Sequence, residues 1–249
     1  MIDLHSHILP GVDDGPATID ESLEIARRAA SDGVRLIAAT PHVRDDYPTE
    51  AATMERLVGE LRTAIQEEGI PLELRPGGEI AIDWLGRLSE EDLGRFGLGG
   101  SPRYILLEFP YAGWPLSLHE WVFQLVTREI TPVIAHPERN GEVQRNPEKL
   151  RPLVDAGALV QITAASLDGR IGRSSQAAAS KLIDLGLAHL LASDAHTPDV
   201  REAGLLRAVE AIDEPELARW LTLQVPMAIV TDGPIPRRPQ TRKRRRLRR

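Results

Sequence analysis

The chain of 249 residues contains no cysteine. Disulfide scaffolds, thiolate zinc sites, iron–sulfur clusters and every cysteine nucleophile are therefore excluded. It has no run of 18 apolar residues, so the sequence offers nothing to span a membrane. Its opening, Met1-Ile2-Asp3-Leu4-His5, lacks the charged n-region and apolar h-region of a secretory signal, and a cytoplasmic protein is expected. A basic body of the kind that binds nucleic acid is missing too. Nine of the 30 basic residues lie in 237–249 (RRPQTRKRRRLRR), which leaves 21 in residues 1–236 against all 37 acidic side chains. An acidic body with a short basic tail is not a nucleic-acid-binding domain, and no nucleic-acid partner is expected.

What is present is globular: 42% hydrophobic and 27% charged residues, at a length that suits one α/β barrel. Seven strands are expected, at Ile2–His5, Arg35–Thr40, Leu72–Pro76, Tyr104–Phe109, Pro132–His136, Leu159–Thr163 and His189–Asp194. Helical patterns fall between them. Thr18-Ile19-Asp20-Glu21 is a capping box that opens the first helix, and Gly33 closes it. Further helices are expected at about Thr49–Glu68, Leu116–Glu129, Pro147–Ala156, Ser174–Leu185 and Arg201–Ile212. This alternation predicts a mostly parallel sheet. Polar residues recur at the strand ends, and only a closed barrel gathers those ends at one mouth. The expected fold is therefore a single-domain α/β protein, a (β/α)7-type barrel over 1–236. A low-complexity tail over 237–249 is expected to be disordered by its own charge repulsion.

The candidate chemistry lies at those ends. His5 and His7 are two apart on a strand and share a face. Asp194 and His196 repeat that spacing after the apolar run Leu190-Leu191-Ala192, His136 ends Pro132-Val133-Ile134-Ala135, and Glu108 ends Tyr104-Ile105-Leu106-Leu107. A charged group directly after a buried strand is costly unless it is paired or bound to metal. His42, Glu79 and Asp14 complete five histidines and four carboxylates. That many ligands exceed the needs of one ion and suit two or three. Three divalent ions against four carboxylates leave a surplus of about two positive charges, enough to attract a phosphate dianion. Imidazole and carboxylate without thiolate fit manganese, iron or zinc. Asp13-Asp14-Gly15 also reads as a turn, with Gly at positive φ. Asp13 is assigned to that turn, while Asp14 is close enough to His7 to reach the mouth. Arg139 and Arg201 lie on loops leaving metal-bearing strand ends, where a guanidinium fork can grip phosphate oxygens. His119, His189 and the tryptophans at 84, 114, 121 and 220 are read as structural, with Tyr111 and Trp114 near a groove at Glu108.

The blocks HSHILPGVDDGP (5–16), TPHV (40–43), GGE (77–79), LLEF (106–109), PVIAHPER (132–139) and SDAH (193–196) resemble the PHP (polymerase and histidinol phosphatase) superfamily. Within it they are similar to the bacterial metal-dependent tyrosine-protein phosphatases of capsule and exopolysaccharide loci. The resemblance runs across about residues 1–230. It implies a distorted seven-stranded PHP-type barrel with a trinuclear centre, usually of manganese. It also implies ligand roles for His5, His7, Asp14, His42, Glu79, Glu108, His136, Asp194 and His196, and phosphate contacts for Arg139 and Arg201. The implied reaction is hydrolysis of phosphotyrosine on protein by metal-bound hydroxide, with His42 as a proton donor if it is not a ligand. The implied protein partner is a membrane-bound bacterial tyrosine kinase. The alternative within the superfamily is a histidinol-phosphate phosphatase or a nucleotide or nucleic-acid phosphoesterase. A binding module with one structural metal has no use for nine ligand-type residues. The arginine-rich terminus departs from the family pattern. It reads either as a solvated end or as a contact with anionic lipid at the inner membrane face.

Overall fold

A computed structural model of the chain describes residues 1–197 and 204–240. Ten strands are present: β1 (Ile2–Ser6), β2 (Leu36–Ala39), β3 (His42–Arg44), β4 (Tyr47–Pro48), β5 (Glu73–Arg75), β6 (Glu79–Ala81), β7 (Tyr104–Glu108), β8 (Thr131–Ile134), β9 (Leu159–Thr163) and β10 (Leu190–Ala192). They form a three-stranded sheet, β1-β2-β5, and a seven-stranded sheet, β10-β9-β8-β7-β6-β3-β4. Among the described residues, every pairing apart from the β3–β4 hairpin is parallel.

The two sheets are one curled wall. β2 and β3 are halves of a single stave broken at Thr40-Pro41, and β5 and β6 are halves of another broken at Pro76-Gly77-Gly78. Proline has no N–H to give to a ladder, so each break falls where pairing is interrupted by chemistry. Gly78 permits the second break, since a Cβ there would stand 2.6 Å from the Phe96 ring. Below the breaks these staves pair with β1, and above them with β7. At the far edge the Asp194 N–H donates to the His5 carbonyl (2.8 Å) and the His7 N–H to the Ala195 carbonyl (2.8 Å), so β10 meets β1. Seven staves thus close as a distorted barrel, as the strand pattern predicts.

Helices pack outside. Helix α1 (Ile19–Ser31) begins with the expected capping box: Thr18 accepts from the Glu21 N–H (3.3 Å), and Glu21 accepts from the Thr18 N–H (3.3 Å). It buries Leu23, Ile25, Ala26 and Ala29. Helix α2 (Ala51–Glu67) buries Met54, Leu57, Val58, Leu61 and Ile65. Three other expectations are trimmed. Observed are Leu118–Thr127, two short turns at Pro147–Leu150 and Arg151–Asp155 in place of one helix, and Leu206–Glu210 at the end of the sixth pattern. The start of that sixth pattern, with Arg201, lies outside the described residues. A helical stretch over Pro215–Val230 was not expected. Within it residues Trp220–Gln224 widen into a turn bonded five residues apart, just ahead of Pro226, which has no N–H to donate.

The body also reaches past residue 236. Arg238 donates to the Ile183 carbonyl (2.7 Å) and the Ala188 carbonyl (3.1 Å), and its guanidinium lies over the Trp220 ring. The remainder of the basic segment, 241–249, lies outside the described residues. Among the described residues, no helix is long and apolar enough to cross a membrane.

Candidate metal centre

All nine predicted ligand-type residues meet at the mouth. Their donor atoms form four overlapping groups, each with its atoms within 4.8 Å of one another: His7, Asp14, His42 and His196; His5, Glu79 and His136; His5, His7 and Asp194; and His42, Glu79 and Glu108. Eight of the nine are buried, and Asp14 is the one partly open to solvent. Glu79 alone touches four imidazoles: His136 (2.7 Å), His42 (3.0 Å), His7 (3.3 Å) and His5 (3.4 Å). Asp194 lies 3.4 Å from His5 and 3.5 Å from both His7 and His196.

Backbone geometry aims several of these groups. His136 (φ 33°) and Asp194 (φ 54°) adopt left-handed conformations that non-glycine residues rarely take. Each costs about 1–3 kcal/mol and is held by a hydrogen bond. The His136 N–H donates to Gln161 Oε1 (3.1 Å), and the Asp194 N–H donates across the seam to His5. The Asp14 loop is folded back on β1. Gly15 is required there by close approach, since a Cβ would stand 2.1 Å from the His7 carbonyl oxygen; it has no positive φ, contrary to the turn reading.

The outer contacts fix imidazole tautomers, a role the sequence did not reveal. Asp13 Oδ2 is 2.7 Å from His7 Nδ1 and also accepts from the His42 N–H (3.0 Å). With Nδ1–H donating to this acid, His7 presents Nε2 to the cluster. Asp13 therefore does more than shape its turn. Gln161 Oε1 is 3.0 Å from His5 Nδ1, and the Asp194 carbonyl is 2.9 Å from His196 Nδ1, so these two rings also turn Nε2 inward. The usable signal for Asp13 was its place six residues after His7. Gln161 carried none beyond its position on β9.

Electrostatics follow from proximity. Burial opposes the ionisation of Glu79, but His5 and His136 outweigh it and hold its carboxyl well below the usual range. Asp194 is held low in the same way by His5, His7 and Arg139. His7 is raised well above an ordinary imidazole, because Asp13 overcomes burial. His42 is pushed up to about 9 by Asp14 and Glu79 against burial. Glu108 moves the other way, raised by burial and by the neighbouring Glu79 charge.

The donor set fits divalent cations. Buried Glu79 Oε2 and His42 Nδ1 face each other at 3.0 Å without the geometry of a hydrogen bond, an approach that a shared cation would satisfy. Nitrogen and carboxylate oxygen without sulfur suit manganese, iron or zinc. Of the two predicted arginines, Arg139 reaches the cluster: it donates to Asp194 Oδ2 (2.6 Å) and to the Tyr111 hydroxyl (3.3 Å). His119 and His189 stay away from it. His119 lies against Trp114, and His189 Nδ1 accepts from the Val160 N–H at the start of β10.

Comparison with known proteins agrees with this geometry. A family model described as "Capsular polysaccharide synthesis, CpsB/CapC" matches residues 1–229. The chain is 37% identical over 253 residues to the tyrosine-protein phosphatase YwqE of Bacillus subtilis, covering 99% of this chain and 98% of that protein. It is 29% identical over 243 residues to the tyrosine-protein phosphatase CpsB of Streptococcus pneumoniae, covering 93% and 99%. Among solved structures it matches a chain from the crystal structures of YwqE and CpsB, described as unique metal-dependent tyrosine phosphatases. That match has a TM-score of 0.86 and 34% identity over 97% of this chain and all of that one.

Proposed function

The chain belongs to the CpsB/CapC family of capsular polysaccharide synthesis proteins. From that premise we propose that it hydrolyses phosphotyrosine on protein with two or three divalent metal ions, manganese first among them, held at the barrel mouth. The observation that carries this reading is the overlap of the donor groups. His5, His7, His42 and Glu79 each belong to two of them, so the groups join into one cluster with more donors than a single ion needs, and the Glu79 carboxylate has two oxygens to divide between neighbours. His7, Asp14, His42 and His196 would hold one ion, and His5, Glu79, Glu108, His136 and Asp194 would complete the others. Bound divalent ions supply charge that polarises a phosphoryl oxygen and acidifies water.

The chain's own residues do the rest. Arg139 stands beside Asp194 with its guanidinium at the mouth, where its fork can take phosphate oxygens in pairs. Arg201 is proposed as a second grip. His42 is assigned to the ligand set, because both of its ring nitrogens face carboxylates. No strong general acid is needed, since a tyrosyl leaving group has a pKa of about 10. The absence of cysteine excludes a phosphocysteine route.

The protein substrate in this reading is a membrane-bound bacterial tyrosine kinase, met at the inner membrane face. The basic segment 237–249 would add about 1 kcal/mol of attraction to anionic lipid for each basic residue near the surface. The deciding experiment loads the purified chain with manganese and offers phosphotyrosine peptide and p-nitrophenyl phosphate. Phosphate release that stops on chelation is the expected result. A loaded protein that leaves both esters intact overturns the reading.

A further inference from the structure

Glu138 is fully buried, yet it belongs to none of the donor groups. It lies in the tight turn Pro137–Arg139, between the ligand His136 and the phosphate grip Arg139. Its Oε1 accepts from the Thr163 N–H (3.0 Å) and from the Ser166 hydroxyl (2.6 Å). Thr163 ends β9, and Ser166 lies in the short helix Ala164–Leu167 that follows. Gln161, two residues earlier on β9, accepts from the His136 N–H (3.1 Å). The turn is thus tied to one strand end at both His136 and Glu138. Gln144 Nε2 donates to the Glu138 carbonyl (3.0 Å) and adds a third tie.

A buried acid is an unfavourable way to secure a turn for stability alone. Glu138 Oε2 has no hydrogen-bond partner among the described residues, and well-packed apolar side chains hold a turn as firmly. What the carboxylate supplies is direction, since charged acceptors make short and geometrically exacting bonds. The turn is also a stiff unit. The Arg139 N–H donates to the His136 carbonyl (3.0 Å) and the Asn140 N–H to the Pro137 carbonyl (3.0 Å), so a shift at Glu138 carries the base of Arg139 with it. At the other end of that side chain the guanidinium meets Asp194 Oδ2 (2.6 Å) and the Tyr111 hydroxyl (3.3 Å). We propose that Glu138 is a positioning residue for the phosphate grip: its two bonds to the end of β9 set where the Arg139 guanidinium meets phosphoryl oxygens. This assignment rests on the phosphatase reading above. Misplacing such a contact by about 1 Å can lower a rate on the order of 10²-fold.

The test is a double-mutant cycle on the manganese-loaded full chain, read as kcat/KM for p-nitrophenyl phosphate. Glu138→Ala should lower kcat/KM by about 10–100-fold when Arg139 is present, and by less than about twofold when Arg139 is already alanine. Bound manganese, by elemental analysis, should be unchanged. Glu138→Gln keeps an acceptor oxygen for Thr163 and Ser166 and should recover kcat/KM to within about fivefold of the wild type. Ser166→Ala removes one of the two bonds and should show the same dependence on Arg139 with a smaller loss, about 3–10-fold. Melting curves check that each variant folds, and Ser166→Ala decides the comparison if Glu138→Ala melts below the assay temperature. Equal losses with and without Arg139, or metal lost from Glu138→Gln, overturn the inference while leaving phosphotyrosine hydrolysis in place. A wild type that hydrolyses no ester overturns the functional reading and, with it, the inference.

Discussion

His42 and His189 are both largely buried histidines of one barrel, and their protons are driven in opposite directions. At the mouth, His42 faces Asp14 and Glu79 and is pushed up to about 9. At the base, His189 lies under Trp220; burial and the Arg238 charge lower it to about 4. Both sites are enclosed, so burial is common to the two and the neighbours decide the sign. The mouth concentrates carboxylates that draw protons or cations. The base excludes protons with an arginine and satisfies its histidine with one backbone N–H, from Val160 (3.1 Å). A ring in a metal centre and a ring in a structural floor are thus told apart by their surroundings.

The harshest way to break this contrast is to remove a carboxylate from the mouth. Glu79→Gln should lower phosphotyrosine turnover by at least about 10³-fold and reduce bound metal by elemental analysis, with circular dichroism little changed. Next comes the acid behind His7. Asp13→Ala frees the His7 tautomer and should cost about 10–100-fold in metal affinity or activity, with Asp13→Asn falling between it and the wild type. The base responds to acid instead. His189 is neutral in the fold to about pH 4 and titrates near 6.5 in the unfolded chain. Its contribution is therefore complete above pH 6.5. It is lost as pH falls toward 4, because only the unfolded chain takes up the proton. Denaturant midpoints at stepped pH should show a loss of about 3 kcal/mol from this source, absent in His189→Gln. The smallest effect belongs to Arg238→Ala. Losing the two carbonyl contacts should cost about 1 kcal/mol, or roughly 2–4 °C in Tm, and should raise the His189 pKa read by NMR.

Strand positions and donor residues were legible because several buried apolar runs end in or lead directly to a charged side chain. Tyr104–Leu107 before Glu108 and Leu190–Ala192 before Asp194 are of this kind. Groups that act through others left no such trace. Asp13 reads as a turn residue until His7 and His42 are seen on its carboxylate, and Gln161 is an ordinary polar residue in a strand. The two broken staves were hidden for a related reason: Thr40-Pro41 and Pro76-Gly77-Gly78 read as strand ends, whereas the chain resumes pairing beyond both. Arg238 was assigned to a charged tail because sequence shows its neighbours' charge and not the carbonyls of Ile183 and Ala188. The helical stretch over Pro215–Val230 was not among the expected elements.

The seam between first and last staves has a consequence for synthesis. Asp3 Oδ1 accepts from the Ser193 N–H across 190 positions of chain, and His5 and His7 meet Asp194 only through that junction. Contacts this distant form late and slowly. A chain that ends before β10 holds its first histidines without Asp194 and His196, and is expected to be inactive. The donor cluster is complete only once β10 and the residues after it have joined β1.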